Sequence, residues 1–367
     1  MARIADDIAN SLAEVVKGAL PGATLLEVEP LQPDVEGDER TRKAVGYGEP
    51  LRLKVRDAAG VERTLVFHTA HADVFGHDRR ADRAAEMLLS YDRFSLIPGH
   101  SRALDVGAIQ GQGKHLISLR DAGEFYLLTT YAEGHVYAEE LRRIAREGKL
   151  TDLDRAHCST LAHHLVDVHA EKYDRPACYA RFLRDVIGSG EGVFGMIDGY
   201  PPDVPGAPRS RLEEIERRCV EWRQRLRGRE QRLCRIHGDY HPFNIVFGDR
   251  SELTLLDASR GCVGEPADDV TCLAINYVFF AIERPGAWQK GFRELWQLFF
   301  STYLEASRDR ELLEVAAPFL AWRGLVVCNP VWYPRVSEAQ RDRMLGLIER
   351  VLDAPMLDLA SADAVFA

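Results

Sequence analysis

His237-Gly238-Asp239-Tyr240-His241-Pro242-Phe243-Asn244, followed by Ile245-Val246-Phe247 and then Leu255-Leu256-Asp257, is the stretch on which the reading of this chain turns. It is a short polar loop leading into two apolar runs, Ile245 to Phe247 and Leu253 to Leu256, which pair as a small hairpin. Asp239 and Asn244 are five positions apart, and Asp257 lies 18 beyond Asp239. One loop–hairpin unit therefore carries a carboxylate and two further hard oxygen donors. A carboxylate within hydrogen-bond reach of a hydroxyl can orient it or take its proton. Magnesium favours one or two protein oxygens, completed by phosphates and water, over a full protein cage. Taken singly each residue has a plainer explanation: Asp239 and Asn244 as turn residues, Asp257 as a strand-end cap. The argument for chemistry is the register of all three.

Composition bounds the rest. With 367 residues, 46% hydrophobic and 28% charged, this is an ordinary globular chain long enough for two domains or one domain of two lobes. A net charge of −10 argues against nucleic acid as the main partner, since duplex binding needs a basic face, and it permits a cationic substrate. The seven cysteines (Cys158, Cys178, Cys219, Cys234, Cys262, Cys272 and Cys328) are scattered, and none forms a C-x-x-C pair. They read as buried free thiols in a reducing compartment, not as a zinc or disulfide framework. Asp6, Asp7, Glu14 and Lys17 interrupt the N-terminal apolar positions, so no secretory signal is expected there. The run Cys272 to Ile282 contains Asn276 and is too short for a bilayer, so no membrane partner is expected and the location is read as cytoplasmic.

Taken in order, residues 3–20 show a helical period that Pro21-Gly22 ends, and Leu25 to Leu31 reads as a strand. Residues 32–50 are polar and glycine-rich, with a Gly-x-Gly at 46–48 too weak to assign. Leu51 to Arg56 and Thr64 to Thr69 alternate as strands about a turn at 57–60, and 77–90 is a helix. Three more strand regions are expected: one running from Ile97 to Ile109, then Leu116 to Leu119 and Glu124 to Tyr131. From Tyr137 the chain reads as helices over 137–147, 152–172, 177–187, 208–228, 266–282, 286–306, 309–327 and 337–353, with breaks at 188–192 and 200–205. The expected organisation is a β-rich lobe over 1–130 and a helical lobe over 131–367 that contains the hairpin.

Ile236 to Val246, then Leu255-Leu256-Asp257, then Gly264-Glu265-Pro266-Ala267-Asp268-Asp269-Val270, resembles the aminoglycoside phosphotransferase (choline-kinase-like) family. The motifs are specific over 236–270, and the layout is similar more loosely over about 22–135. The resemblance implies an α+β, protein-kinase-like two-lobe fold and an enzyme that uses ATP or GTP with Mg2+ to phosphorylate a hydroxyl of a small molecule. It does not fix the substrate. It places Asp239 as the catalytic residue, Asn244 and Asp257 as metal ligands, and His237 and Asp269 as supports that hold the loop from below. Asp269 also has the plain reading of a first-turn acid favoured by the helix dipole. By the same resemblance the N-terminal lobe is the nucleotide-binding one, with the backbone near Thr130 and Tyr131 facing the base.

A kinase of this kind needs a cation on the third strand and an acid on the next helix to hold it. Against that pattern, Leu65-Val66-Phe67-His68 puts His68 where the lysine belongs, with Asp82 and Glu86 as the candidate acids and Arg79, Arg80 or Arg83 as substitute cations. A histidine makes a pH-dependent clamp, because its ordinary pKa is about 6.5. Gly111-Gln112-Gly113-Lys114-His115 looks like a phosphate loop but lacks the first glycine and the Ser/Thr, and the glycines of 188–195 read as a flexible connection. Glu133, Glu191, Asp198, Asp268 and Glu283 could favour a cationic, aminoglycoside-like acceptor. Two rival readings stand beside the kinase. His68 motivates a nucleotide-binding pseudokinase acting as a regulatory module, and His237, Asp239 and His241 spell an H-x-D-x-H set that a metal hydrolase could use.

Overall fold

The computed structural model describes residues 2–30, 50–73, 76–96, 98, 100–110, 115–125, 127–258 and 260–367, with backbone alone for 2–9. The Gly-x-Gly at 46–48, Ile97, the Gly111-to-Lys114 stretch and Tyr126 lie outside these residues. The chain divides into two compact units, Met1–Thr129 and Thr130–Ala367.

The first unit contains α1 (Ala2–Ala19), β1 (Thr24–Pro30), β2 (Leu51–Arg56), β3 (Glu62–Phe67), α2 (Arg80–Phe94), β4 (Gly107–Gln110) and β5 (His115–Ser118). The first three strands form one antiparallel sheet, and β4–β5 is a separate antiparallel pair. Alternation in β2 explains its place: Leu53 and Val55 are buried with Leu12 and Val16 of α1, one helical turn apart. Between them Arg52, Lys54 and Arg56 meet Glu29, Glu27 and Glu62 across the strands at 3.5, 2.6 and 2.9 Å. Two expectations are corrected. Among the described residues of 97–109 only those in β4 form a strand, and the described residues of 124–131 form none. An apolar run becomes a strand only when a sheet edge takes its N–H and C=O groups, and Phe125, Leu127, Leu128 and Tyr131 are all exposed.

The second unit contains β6 (His135–Val136), α3 (Tyr137–Glu147), α4 (Asp152–His169), α5 (Pro176–Gly188), α6 (Val193–Asp198), α7 (Arg209–Leu226), β7 (Cys234–Arg235), β8 (Ile245–Phe247), β9 (Leu253–Leu255), β10 (Val263–Gly264), α8 (Pro266–Ile282), α9 (Arg293–Ser307), α10 (Leu312–Val315), α11 (Ala317–Cys328) and α12 (Glu338–Asp353). The helices fall where the periodicity predicts, with three differences. The glycine-rich connection of 188–195 runs into a short helix, Val193–Asp198, a π-helical stretch at Trp288–Phe292 precedes α9, and the helix expected over 309–327 is split at Ala316 ahead of Pro318. All 17 residues of α8 are buried, as an all-round apolar helix requires. Of the thiols, Cys262 is exposed and Cys178 intermediate, against the expectation of uniform burial. No described helix is long and apolar enough to cross a membrane.

Two small antiparallel pairings frame the loop. It leaves β7, whose Cys234 and Arg235 pair with Gly264 and Val263 of β10, and it enters β8, which pairs with β6 and β9. Because β10 leads through Glu265 into α8, the start of the loop and the first turn of that buried helix are tied to one another.

Candidate active site

The loop is fastened from beneath by α8. The Asp269 carboxylate, fully buried, accepts the His237 amide at 2.7 Å and the Gly238 amide at 2.8 Å. His169 Nε2 meets the same carboxylate at 3.2 Å, and the Tyr303 hydroxyl lies 2.7 Å from His169 Nδ1. Burial alone pushes the Asp269 carboxyl up, but the His169 bond and the loop amides outweigh it, so it stays below the ordinary carboxylate range. Gly238 turns the chain at φ 84, and a Cβ there would come within 2.8 Å of the Gly261 carbonyl oxygen, so only glycine fits. His237 then folds back, its Nδ1 accepting the Asp239 amide at 3.2 Å.

Asp239 is buried and its carboxylate is gripped on one side. Arg323 Nη1, from α11, donates to Oδ1 at 2.7 Å. The same guanidinium donates to the Gly238 carbonyl at 2.7 Å and to Asp268 Oδ1 at 2.7 and 3.1 Å. On the Oδ2 side stand His241 Nε2 at 3.4 Å, Asn244 Nδ2 at 3.5 Å and Arg260 Nε at 4.0 Å. Burial raises the Asp239 carboxyl, but the His241 contact and the Arg323 and Arg260 charges win and hold it far below its ordinary value. The same contacts favour its ionised form. Asp239 is a good acceptor for a hydroxyl hydrogen and a weak base. Asp268, fully buried, shows the opposite balance: burial dominates and its carboxyl is pushed up to about 6.

Asn244 Nδ2 donates to the Asp239 carbonyl at 3.1 Å, which fixes the amide so that its Oδ1 is the end available to an ion. The β8–β9 register pairs Ile245 with Leu255, and the Leu256 amide donates to the Asn244 carbonyl at 2.9 Å. Asp257 thus follows directly on the residue opposite Asn244. It holds a left-handed backbone at φ 51, a conformation that Asp tolerates better than most residues and that often marks functional positions. Asn244 is buried and Asp257 exposed at this end of the hairpin, and both carry hard oxygens of the kind with which a protein would hold a magnesium ion alongside phosphate and water.

In the first unit, His68 is exposed just past the end of β3. Among the described residues no ion pair joins it to Glu86. Glu86 Oε2 lies 3.5 Å from His77 Nε2, and His77 Nδ1 meets Asp73 at 2.9 Å. Asp82 is engaged at its own helix start, accepting the Arg79 amide at 3.0 Å. Thr130 and Tyr131 lie in irregular, exposed chain. The five acids read as cation-attracting do not converge. Asp268 is spent on Arg323, Glu191 and Asp198 are exposed beside Arg260 (3.5 Å) and Arg209 (3.7 Å), and Glu133 and Glu283 are exposed. Among the described residues no group of three or more His, Cys, Asp or Glu is placed to hold an ion.

The loop, its α8 brace and the hairpin register together repeat the order of motifs read from the sequence, and a family model agrees. The Phosphotransferase enzyme family matches residues 101–311, more than half of the chain. The chain belongs to that family. This phosphotransferase accordingly has the family's α+β, protein-kinase-like fold and acts as a kinase of small molecules. Comparison with curated proteins gave no match. Among solved structures it is similar to a glucosamine kinase (13% identity, 94% of this chain and 98% of that chain, TM-score 0.40). It is also similar to an ethanolamine kinase from Plasmodium vivax (12%, 93% and 81%, 0.36) and to an amicoumacin kinase solved with AMP-PNP and Ca2+ (14%, 96% and 96%, 0.38).

Arg323, Arg260 and His169 of the phosphotransferase escaped the sequence reading. The available signal for Arg323 was its isolation: one arginine in the apolar run Phe319 to Val327 must find a buried anion.

Proposed function

We propose that this phosphotransferase moves the terminal phosphoryl group of ATP or GTP to a hydroxyl of a small molecule, with Mg2+. One observation supports the reading: the buried Asp239 carboxylate stands on the same loop–hairpin as Asn244 and the exposed Asp257, which follows directly on the residue opposite Asn244. The acceptor hydroxyl donates to Asp239 Oδ2, the side left open by Arg323. Its oxygen bonds to the terminal phosphorus as the bridging P–O bond breaks, the bonding pair leaves on the nucleoside diphosphate, and the hydroxyl proton passes by way of Asp239 to solvent. The loose transition state of phosphoryl transfer asks for positioning and charge neutralisation more than for a strong base, which suits a carboxylate of depressed basicity. Asn244 and Asp257 would hold the magnesium ion, which screens the phosphate charges. His68, Glu86 and the backbone of Thr130 and Tyr131 are the proposed nucleotide contacts, by their place in the family's layout.

The second reading, a nucleotide-binding pseudokinase, is favoured by one observation: Glu86 is engaged with His77 instead of bracing His68. Magnesium-dependent ATP turnover by the wild type and by Asp239→Ala separates the two. Equal, negligible turnover in both, with nucleotide still raising the melting temperature, would establish the pseudokinase.

A further inference from the structure

The hairpin that carries Asn244 and Asp257 is held at its far end by a polar network that the transfer step does not use. Glu140 of α3 and His157 of α4 are both buried. The Glu140 carboxylate lies 2.9 and 3.0 Å from His157 Nδ1, and its Oε1 lies 2.6 Å from His135 Nε2 in β6. An ionised carboxylate only accepts, so both ring nitrogens that face it carry hydrogens. That leaves His157 Nε2 for Ser251 Oγ, 3.1 Å away in the turn between β8 and β9. The imidazole also lies flat on Phe247 of β8, with ring centroids 3.7 Å apart and planes at 5°. His157 thus touches both β8 and the turn, and Glu140 fixes the direction in which it points.

Burial alone does not place this hairpin. β8 is wholly buried, but β9 is partly exposed and leads to the exposed Leu256 and Asp257. Each strand has three residues, and a two-stranded hairpin has little stability by itself. The course of β9 is then set by its pairing with β8 and by the turn. The turn is strained: Ser251 holds a left-handed backbone at φ 63, which persists only where the surroundings over-determine it. The bond to His157 is one such constraint. The Gly248 and Ser251 amides, donating at 2.9 Å to the Glu252 and Gly248 carbonyls, supply the others. A buried ion-paired network is a weak source of stability, since apolar residues of similar volume often do as well or better. What this one supplies is a directional anchor.

Resting on the reading of Asn244 and Asp257 as metal ligands, we infer that Glu140, His157 and Ser251 form a chain of positioning residues. The chain anchors the turn of the hairpin, thereby sets the place of Asp257 at its open end, and so sets the affinity of the site for metal with nucleotide. These residues act through β8 and β9 and not on the reacting groups.

The test is the Mn2+ affinity of the full-length protein with ADP, read by water proton relaxation, alongside melting temperature. Ser251→Gly is the deciding variant. It removes the hydroxyl from an exposed turn, and glycine accepts the positive φ without strain. The melting temperature should stay close to the wild-type value or rise. Mn2+ affinity should nevertheless fall by about threefold or more, a smaller loss than the roughly 10–100-fold of a group bonded directly to a ligand. Glu140→Gln keeps the volume but cannot accept from both imidazoles, so it should weaken Mn2+ in the same way. Because the residues act in series, the double variant should bind Mn2+ no worse than the weaker of the two single variants. Should Glu140→Gln fail to fold, Ser251→Gly decides alone. Wild-type Mn2+ affinity in Ser251→Gly overturns the inference, as does additivity in the double variant. So does a loss of affinity that comes only with a lower melting temperature, which would make the serine a structural residue. If Asn244→Ala and Asp257→Ala also bind Mn2+ as the wild type does, the metal reading itself has failed and takes the inference with it. Weakening in those two with none in Ser251→Gly is the failure of the inference alone.

Discussion

Arg323 Nη1 donates to Asp239 Oδ1 at 2.7 Å, joining residues 84 apart in the chain. The pair sets both the position and the basicity of the loop carboxylate. Because Arg323 also holds Asp268 and the Gly238 carbonyl, it is a positioning residue for the whole loop. Arg323→Ala leaves two buried carboxylates without their counterion, and removing one partner of a buried pair costs about 3–5 kcal/mol. Urea unfolding should show a loss of that size. Arg323→Lys keeps a charge but not the fork, so it should stay folded with a lower kcat. A loss under about 1 kcal/mol for Arg323→Ala would mean that the network does not hold the loop.

Asp269 ties the loop to α8 through two amides and His169. Asp269→Ala strands these buried donors at about 1–3 kcal/mol each, so a destabilisation of roughly 3 kcal/mol or more is expected. Hydrogen exchange gives a local check: the His237 and Gly238 amides should lose protection. Unchanged protection at those two amides would contradict the brace.

The two acids at the start of α8 act oppositely on pH stability. Asp268 is raised by burial from 3.8 to about 6, so between those values the folded state binds a proton that the unfolded state lacks. Its contribution is full below pH 3.8 and is lost as pH rises through about 6. Asp269, held low, contributes above its unfolded value and loses that contribution on acidification. In Asp268→Asn the slope between pH 4 and 7 should vanish, while the loss of stability on acidification below pH 3.8 that belongs to Asp269 remains, as read by chemical unfolding across both ranges. A variant with the wild-type slope would put Asp268 in its ordinary range.

Asn244 and Asp257 are proposed to share one ion. Loss of even an outer-shell partner costs about 10–100-fold in metal affinity. Asn244→Ala or Asp257→Ala should therefore weaken Mn2+ binding in the presence of nucleotide by at least about tenfold, read by water proton relaxation and independent of turnover. Wild-type affinity in both variants would remove them from the metal site.

Much of this arrangement was legible in the sequence because it is local. The spacing of Asp239, Asn244 and Asp257 survives as the β8–β9 register, and the apolar period of 266–282 becomes a wholly buried α8. Asp269 could be named as a support because it follows the loop within one motif. What stayed hidden is long-range. Arg323 and Arg260 reach Asp239 through tertiary packing that periodicity does not encode. The 124–131 segment failed for a related reason: its apolar residues suit a strand, but nothing in its own sequence supplies a partner edge.

The central claim is that Asp239 carries phosphoryl transfer. The most direct measurement is Mg-dependent nucleoside triphosphate turnover by wild type and Asp239→Ala, with melting temperature as the control for folding. A positioned acid or base typically contributes about 10²–10⁴-fold, so the variant should lose at least about a hundredfold of the turnover at a retained melting temperature. Turnover in the variant equal to that of the wild type would contradict the account.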